Sequence, residues 1–227
     1  MKKRILVSIP NQGWIHKLCA FDLLRIDKDP RYDTTIMLPT HSPYDNNLNL
    51  IIADFLDGGY DYWLTFDADN PPRQNPLDLV ELDKDIMVLP TPQWHSSKEE
   101  QANGDYPIFI NAMDEVEGQG FKEHKPKEGL QQIDAGGSGC LLIARRVLLK
   151  DHMHFARIWD AQGRVVQGAD FTFCQKAKKQ YGFTIWTHYD YLCHHFKELD
   201  MVEVIAAFAQ YHAKQNQVPE HNPNVLL

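Results

Sequence analysis

Tyr62-Trp63-Leu64-Thr65-Phe66-Asp67-Ala68-Asp69-Asn70-Pro71-Pro72 is the stretch on which the fold turns. Its first five residues form an unbroken aromatic, aliphatic and β-branched run, the form of a strand buried on both faces. Pro71 and Pro72 lack backbone donors and stop it. Two carboxylates therefore stand where a buried strand leaves its sheet, the end at which open α/β sheets bind ligands. In extended chain, residues i and i+2 project to one side, so Asp67 and Asp69 are expected to converge on one divalent cation. A solvated acidic turn is the alternative.

On either side of this stretch the pattern alternates. Residues 5–9 (ILVSI) read as a second buried strand, and residues 15–26 as a helix with Ile15, Leu18, Cys19, Asp22, Leu23 and Ile26 on one largely apolar face. Residues 34–38 repeat the strand pattern, residues 46–56 the helix pattern, and residues 60–66 the strand pattern again. A βαβαβ order predicts a mostly parallel sheet flanked by helices. Residues 76–82 extend it as a helix and residues 85–89 as a strand. From Gln93 to Gly129 the chain reads as loop-rich, with a short apolar run at 108–110. Farther on come apolar residues 140–143, a helix at 170–180 and a strand at 183–187. An amphipathic helix is expected at 200–214, with Val204, Ile205, Phe208 and Tyr211 on one side, before a proline-containing tail. The expected organisation is one α/β domain over residues 1–199, then that helix and tail over 200–227.

At 227 residues the chain is long enough to bury about 70% of its unfolded surface without a staple. Its 43% hydrophobic and 24% charged residues are globular values. A net charge of −8 argues against broad binding to nucleic acid or an anionic membrane. Cys19, Cys140, Cys174 and Cys193 are far apart, with no CxxC pair, and read as buried thiols in a reducing compartment. No apolar run approaches the roughly 20 residues that span a bilayer, and the expectation is a soluble, cytoplasmic protein without membrane insertion.

Several segments, in order, resemble GT-A glycosyltransferases, particularly the large inverting family 2. Asp67-Ala68-Asp69 is similar to the DxD element of that fold. Ile9-Pro10-Asn11 ends the first strand as that family's base-binding loop does. Asp134-Ala135-Gly136-Gly137-Ser138-Gly139-Cys140-Leu141-Leu142-Ile143-Ala144-Arg145-Arg146 resembles its Gly-rich turn and following strand. There the glycines are expected to permit positive φ and close approach of a sugar. Gly168-Ala169-Asp170-Phe171-Thr172-Phe173-Cys174 resembles the family's E-D-x-x-F-C helix start, with Ala169 where the family has Glu. Tyr191-Leu192-Cys193-His194-His195-Phe196-Lys197 resembles the C-x-H element that closes many GT-A sites.

The resemblance implies a GT-A fold and a nucleotide-sugar donor, a UDP-sugar first among them. It implies Mn²⁺ or Mg²⁺ held by Asp67, Asp69 and His195, with His194 as the competing ligand. Pro10, Asn11, Asp67, Gly137, Ser138, Gly139 and Lys197 would border the donor. Asp170 would be the catalytic base, with a helix cap as its plainer role; Ala169 leaves inversion or retention open. The acceptor could be a glycan, a protein, a small molecule or a hydroxylated DNA base, the last served by Lys122, Lys125 and Lys127 and opposed by net charge. A haloacid-dehalogenase-type phosphatase with Asp67 as nucleophile, and a non-catalytic sugar-binding protein, are the competing classes. Pro71 two residues after Asp69, and a motif on the third strand rather than the first, disfavour the phosphatase. Trp94 of Pro92-Gln93-Trp94-His95 reads as a loop-packing residue or a sugar platform, and His152 and His154 as surface residues.

Overall fold

The computed structural model describes residues 2–94, 108–197 and 209. The chain divides into two compact units, Met1–Gln93 with Ile110–Phe196, and Trp94–Phe109 with Lys197–Leu227. The expected helix at 200–214 and the tail lie outside the described residues, apart from Ala209, which is helical. His95 is also outside them.

The first unit opens β1 (Arg4–Ser8), α1 (Lys17–Asp27), β2 (Asp33–Met37), α2 (Tyr44–Gly58) and β3 (Tyr62–Phe66). β1 pairs in parallel with both β2 and β3. Continuing, a 3₁₀ helix (Pro76–Leu82) leads into β4 (Ile86–Val88), and short strands β5 (Pro92–Trp94) and β6 (Ile108–Ile110) straddle the unit boundary. β7 (Ala112–Val116) and β8 (Gly120–Glu123) form an antiparallel hairpin, followed by β9 (Leu130–Ile133), β10 (Ala135–Gly136), β11 (Cys140–Ala144) and the single-turn α3 (Arg145–Leu148). β12 (Ile158–Trp159), β13 (Val165–Gln167), α4 (Ala169–Tyr181) and β14 (Ile185–His188) complete it. The main sheet runs β2-β1-β3-β11-β4-β14-β9. β11 and β9 are its antiparallel members, because β11 opposes β3 and β4 and β9 opposes β14. The mixed, mostly parallel sheet flanked by helices is the expected fold class.

Both faces are buried, which is why the strands read as continuous apolar runs. Leu6, Trp63, Ile86, Val88, Leu141 and Ile143 face Leu48, Ile51 and Phe55 of α2 and Phe173 and Ala177 of α4. The alternate residues Ile5, Val7, Leu64, Phe66, Met87 and Leu142 face Cys19, Leu23 and Ile26 of α1 and Leu77 and Val80. The four cysteines are buried and free, as expected.

Three local expectations change. Residues 76–82 are 3₁₀ rather than α-helical, beginning at Asn75, whose side chain accepts from the Leu77 amide, with Pro76 at the first turn. α1 starts later than predicted because His16 caps it, Nδ1 accepting from the Leu18 amide. The supposed loop region contains the β7–β8 hairpin, where the adjacent charged residues Asp114-Glu115 and Lys122-Glu123 interrupt any hydrophobic alternation. No helix among the described residues is long and apolar enough to cross a membrane.

Candidate functional site

The C-terminal ends of the parallel strands carry most of the residues singled out in the sequence. β3 ends at Phe66, and the chain does not stay extended. The Asn70 amide donates to the Asp67 carbonyl at 3.0 Å, closing a β-turn over Asp67–Asn70. This overturns the same-side argument for Asp67 and Asp69, because the period-2 rule holds only while the strand continues. The Asp67 carboxylate instead accepts from the Tyr44 hydroxyl at 2.5 Å, while Asp69 faces His195, with Oδ2 and Nε2 3.7 Å apart. Among the described residues no group of three His, Cys, Asp or Glu gathers as a metal cluster. Asp67, Asp69 and His195 therefore do not gather as the expected three-ligand set; Asp69 and His195 are the two that face each other.

How His195 reaches a turn so distant in sequence is a matter of main-chain lacing. The Cys193 amide donates to Pro90, that of His194 to Pro71 and that of Phe196 to the Asp69 carbonyl, while Asn70 Nδ2 donates to the His194 carbonyl. Phe196 also stacks on His16, with ring centroids 3.8 Å apart. His195 Nδ1 lies 2.7 Å from the Pro92 carbonyl. A carbonyl only accepts, so Nδ1 carries a proton and Nε2 is the ring atom turned toward Asp69. That is the second-shell arrangement typical of metal-ligating histidines. A gap of 3.7 Å exceeds a hydrogen bond. One imidazole and one carboxylate thus fit Mn²⁺ or Mg²⁺ as a partial shell completed by ligand oxygens.

The Gly-rich turn lies alongside. The Asp67 amide donates to the Gly139 carbonyl at 2.9 Å, and Ser138 Oγ is 3.4 Å from the Tyr44 hydroxyl. None of Gly136, Gly137 and Gly139 has positive φ, contrary to expectation. Packing requires the first two: a Cβ on Gly136 would lie 2.5 Å from Val88 Cγ1, and one on Gly137 1.6 Å from Asn111 Nδ2. Val88 is buried and β-branched and has little freedom to yield. Gly136→Ala is expected to lower stability by about 1–3 kcal/mol, the usual cost of overpacking; an unaltered urea midpoint would refute this.

Asp170 lies in the first turn of α4, whose cap is Gly168, so it is not the N-cap residue. Its carboxylate accepts from the Phe171 amide at 2.9 Å and from the Ser138 amide at 3.3 Å. Burial raises its pKa above the ordinary carboxylate value, outweighing those amides and the charge of Arg157. Asp67 and Asp170 are thus linked through Tyr44 and Ser138. Tyr44 and the Pro92 carbonyl had no recognisable signal in sequence, since each acts through a contact far along the chain.

The remaining predicted residues are placed as follows. Asn11 donates its side-chain amide to the Ile9 and Pro39 carbonyls and accepts from the Gly13 amide, so it shapes the loop after β1. Pro10 is buried at the end of that strand. His194 stacks near Phe196, with centroids 5.4 Å apart. Lys197 belongs to the second unit and is exposed. His152 and His154 are exposed, as expected. Lys127 pairs with Glu123, and Asp114, Glu115 and Glu117 share the hairpin that carries Lys122, which dilutes the basic patch.

No family model matches the sequence, and the search of curated proteins finds no relative. Among solved structures the chain is similar to A197 from STIV, at 16% identity over 86% of each chain with a TM-score of 0.57. That is a likeness of fold. Apo UDP-glucose pyrophosphorylase is 8% identical over 95% of this chain and 100% of that one, at a TM-score of 0.41. CMP:2-keto-3-deoxy-manno-octonic acid synthetase complexed with CTP is 11% identical over the same shares, at 0.39.

Proposed function

We propose that the protein is a metal-dependent glycosyltransferase that moves a sugar from a nucleotide-sugar donor, a UDP-sugar first among them, to an acceptor hydroxyl. The observation that carries this reading is the juxtaposition at one sheet edge of a cation-suited pair, Asp69 and His195, with a buried carboxylate, Asp170, joined to the same turn through Ser138, Tyr44 and Asp67. Asp69 and His195 would hold Mn²⁺ or Mg²⁺, which when bound neutralises charge on a departing diphosphate. Asp67 and the Ser138 turn would orient the donor, with Gly137 and Gly139 bordering the sugar and Pro10 and Asn11 on the nucleotide side. Asp170 would take the acceptor's proton as that oxygen bonds to the anomeric carbon and the bond to the diphosphate breaks, giving inversion. A raised pKa makes it a stronger base than a solvated Asp.

The acceptor class is a glycan, a protein, a small molecule or a hydroxylated base. Net charge and the acids beside Lys122 weigh against DNA. The test is incubation with a panel of nucleotide sugars with Mn²⁺ or with chelator, reading nucleoside diphosphate by chromatography. Release that needs the cation is expected. Phosphate release from simple phosphoesters with an acyl-phosphate on Asp67 would assign a phosphatase instead, and no turnover of any donor would leave a sugar-binding protein.

A further inference from the structure

We infer that the β12–β13 hairpin is the platform on which a glycan acceptor lies, with Trp159 stacking on a sugar ring beyond the one that reacts, an inference that rests on the transferase reading above. Trp159 is 56% exposed and Val166 61%, with Ile158 and Val165 exposed beside them. These side chains do not hold the hairpin together. A lone two-stranded ribbon is marginal in water, and polar bonds secure this one. At its tip Asp160 pairs with Arg164, their Oδ2 and Nε 2.7 Å apart, and the Asp160 carboxylate also accepts from the Gln162 and Arg164 amides. Folding therefore leaves an apolar surface rimmed by polar residues, the mark of a binding surface.

Both ends of the hairpin are fastened to the elements that build the site. At its start, Arg157 Nε lies 3.6 Å from Asp45 Oδ2 in the first turn of α2, next to Tyr44. At its end, Gln167 Nε2 donates to Thr172 Oγ1 at 3.2 Å and to Gln175 Oε1 at 2.8 Å, tying β13 to the helix that carries Asp170. Trp159 stands opposite Val165, and from Val165 to Asp170 the chain spans at most about 18 Å. That reach exceeds one sugar ring and suits a chain of them. A sugar ring has an apolar face of C–H groups and a rim of hydroxyls, which matches an indole and aliphatic side chains bordered by Arg157, Asp160 and Arg164. A protein partner needs more. A stable complex buries about 800 Å² per partner, whereas an aromatic side chain supplies about 150–250 Å² and the hairpin adds only three short aliphatic ones. A net charge of −8 opposes an anionic bilayer.

The experiment titrates the full chain, as wild type, Trp159→Ala, Trp159→Phe and Trp14→Ala, with cellotetraose, xylotetraose, mannotetraose and chitotetraose by ligand-observed NMR, with thermal melts as a check on folding. Wild type should bind at least one tetraose. Trp159→Ala should bind it about tenfold more weakly, the size of a lost aromatic stacking contact, and Trp159→Phe, which keeps a stacking face, should stay near wild type. Trp14 is 58% exposed on the loop before α1 and controls for adventitious stacking, so its removal should change nothing. No tetraose bound by wild type, equal binding by folded Trp159→Ala, or an equal loss in Trp14→Ala overturns the inference. Should Trp159→Ala not fold, Val166→Ser on the same ribbon takes its place, with weaker binding expected and equal binding overturning. A wild-type dimer that Trp159→Ala dissolves in sedimentation assigns the hairpin to a second copy and overturns it too. The transferase reading fails separately: tetraose binding that depends on Trp159, with no Mn²⁺-dependent turnover of any donor, removes the transferase and leaves a sugar-binding platform.

Discussion

Asp69→Ala is expected to abolish the dependence of UDP binding on Mn²⁺. In wild type the cation should strengthen UDP binding by about 100-fold or more, beyond the range that partners outside the shell typically carry. The argument is electrostatic and geometric. A diphosphate brings charge to an edge already bearing Asp67 and Asp69, so without a cation the two repel. With it, Asp69 and Nε2 of His195 supply one side of the shell and phosphate oxygens the other. His195→Ala should produce the same loss, and it removes the bond to the Pro92 carbonyl as well. The main-chain bond of this turn to Phe196 does not involve the Asp69 side chain, and a melting temperature checks that the variant folds. Equal UDP binding by wild type and Asp69→Ala, with and without Mn²⁺, would defeat the metal assignment.

Asp170→Asn should cut turnover by about 10² or more, the typical contribution of a general base. The amide has the same shape, and its oxygen can still accept from a backbone amide, so folding should survive. Because a base acts in the transition state, kcat and kcat/KM should fall together with KM little changed. The pH profile supplies the sharper evidence. Asp170 is raised by burial, so as pH falls it takes up its proton, and loses basicity, at a higher pH than an ordinary Asp does. The wild-type acid limb should therefore lie above the ordinary Asp value of 3.8 and vanish in the variant. Undiminished turnover would reduce Asp170 to a bond partner of the α4 amino terminus.

The alternation of strands and amphipathic helices in the first 66 residues determined the parallel trio β2-β1-β3. β1 and β3 are apolar on both faces, and each helix has one apolar side, so few arrangements can bury them together. The same runs placed Asp67, Asp69 and Asn11 at one edge, because side chains just past a parallel strand have nowhere else to be. Only the tertiary structure decided which acid meets which partner. The turn at Asp67–Asn70 is a local hydrogen bond, but the directions of the two carboxylates are set by Tyr44 of α2 and by His195, which main-chain bonds to Pro71, Pro90 and Asp69 bring across the fold. The crowding of Gly136 and Gly137 against Val88 and Asn111, and the burial that raises Asp170, likewise arise from contacts between distant segments. A linear sequence lists donors and acceptors, but hydrogen bonds last only a few ångströms, so the choice among them belongs to the packed chain.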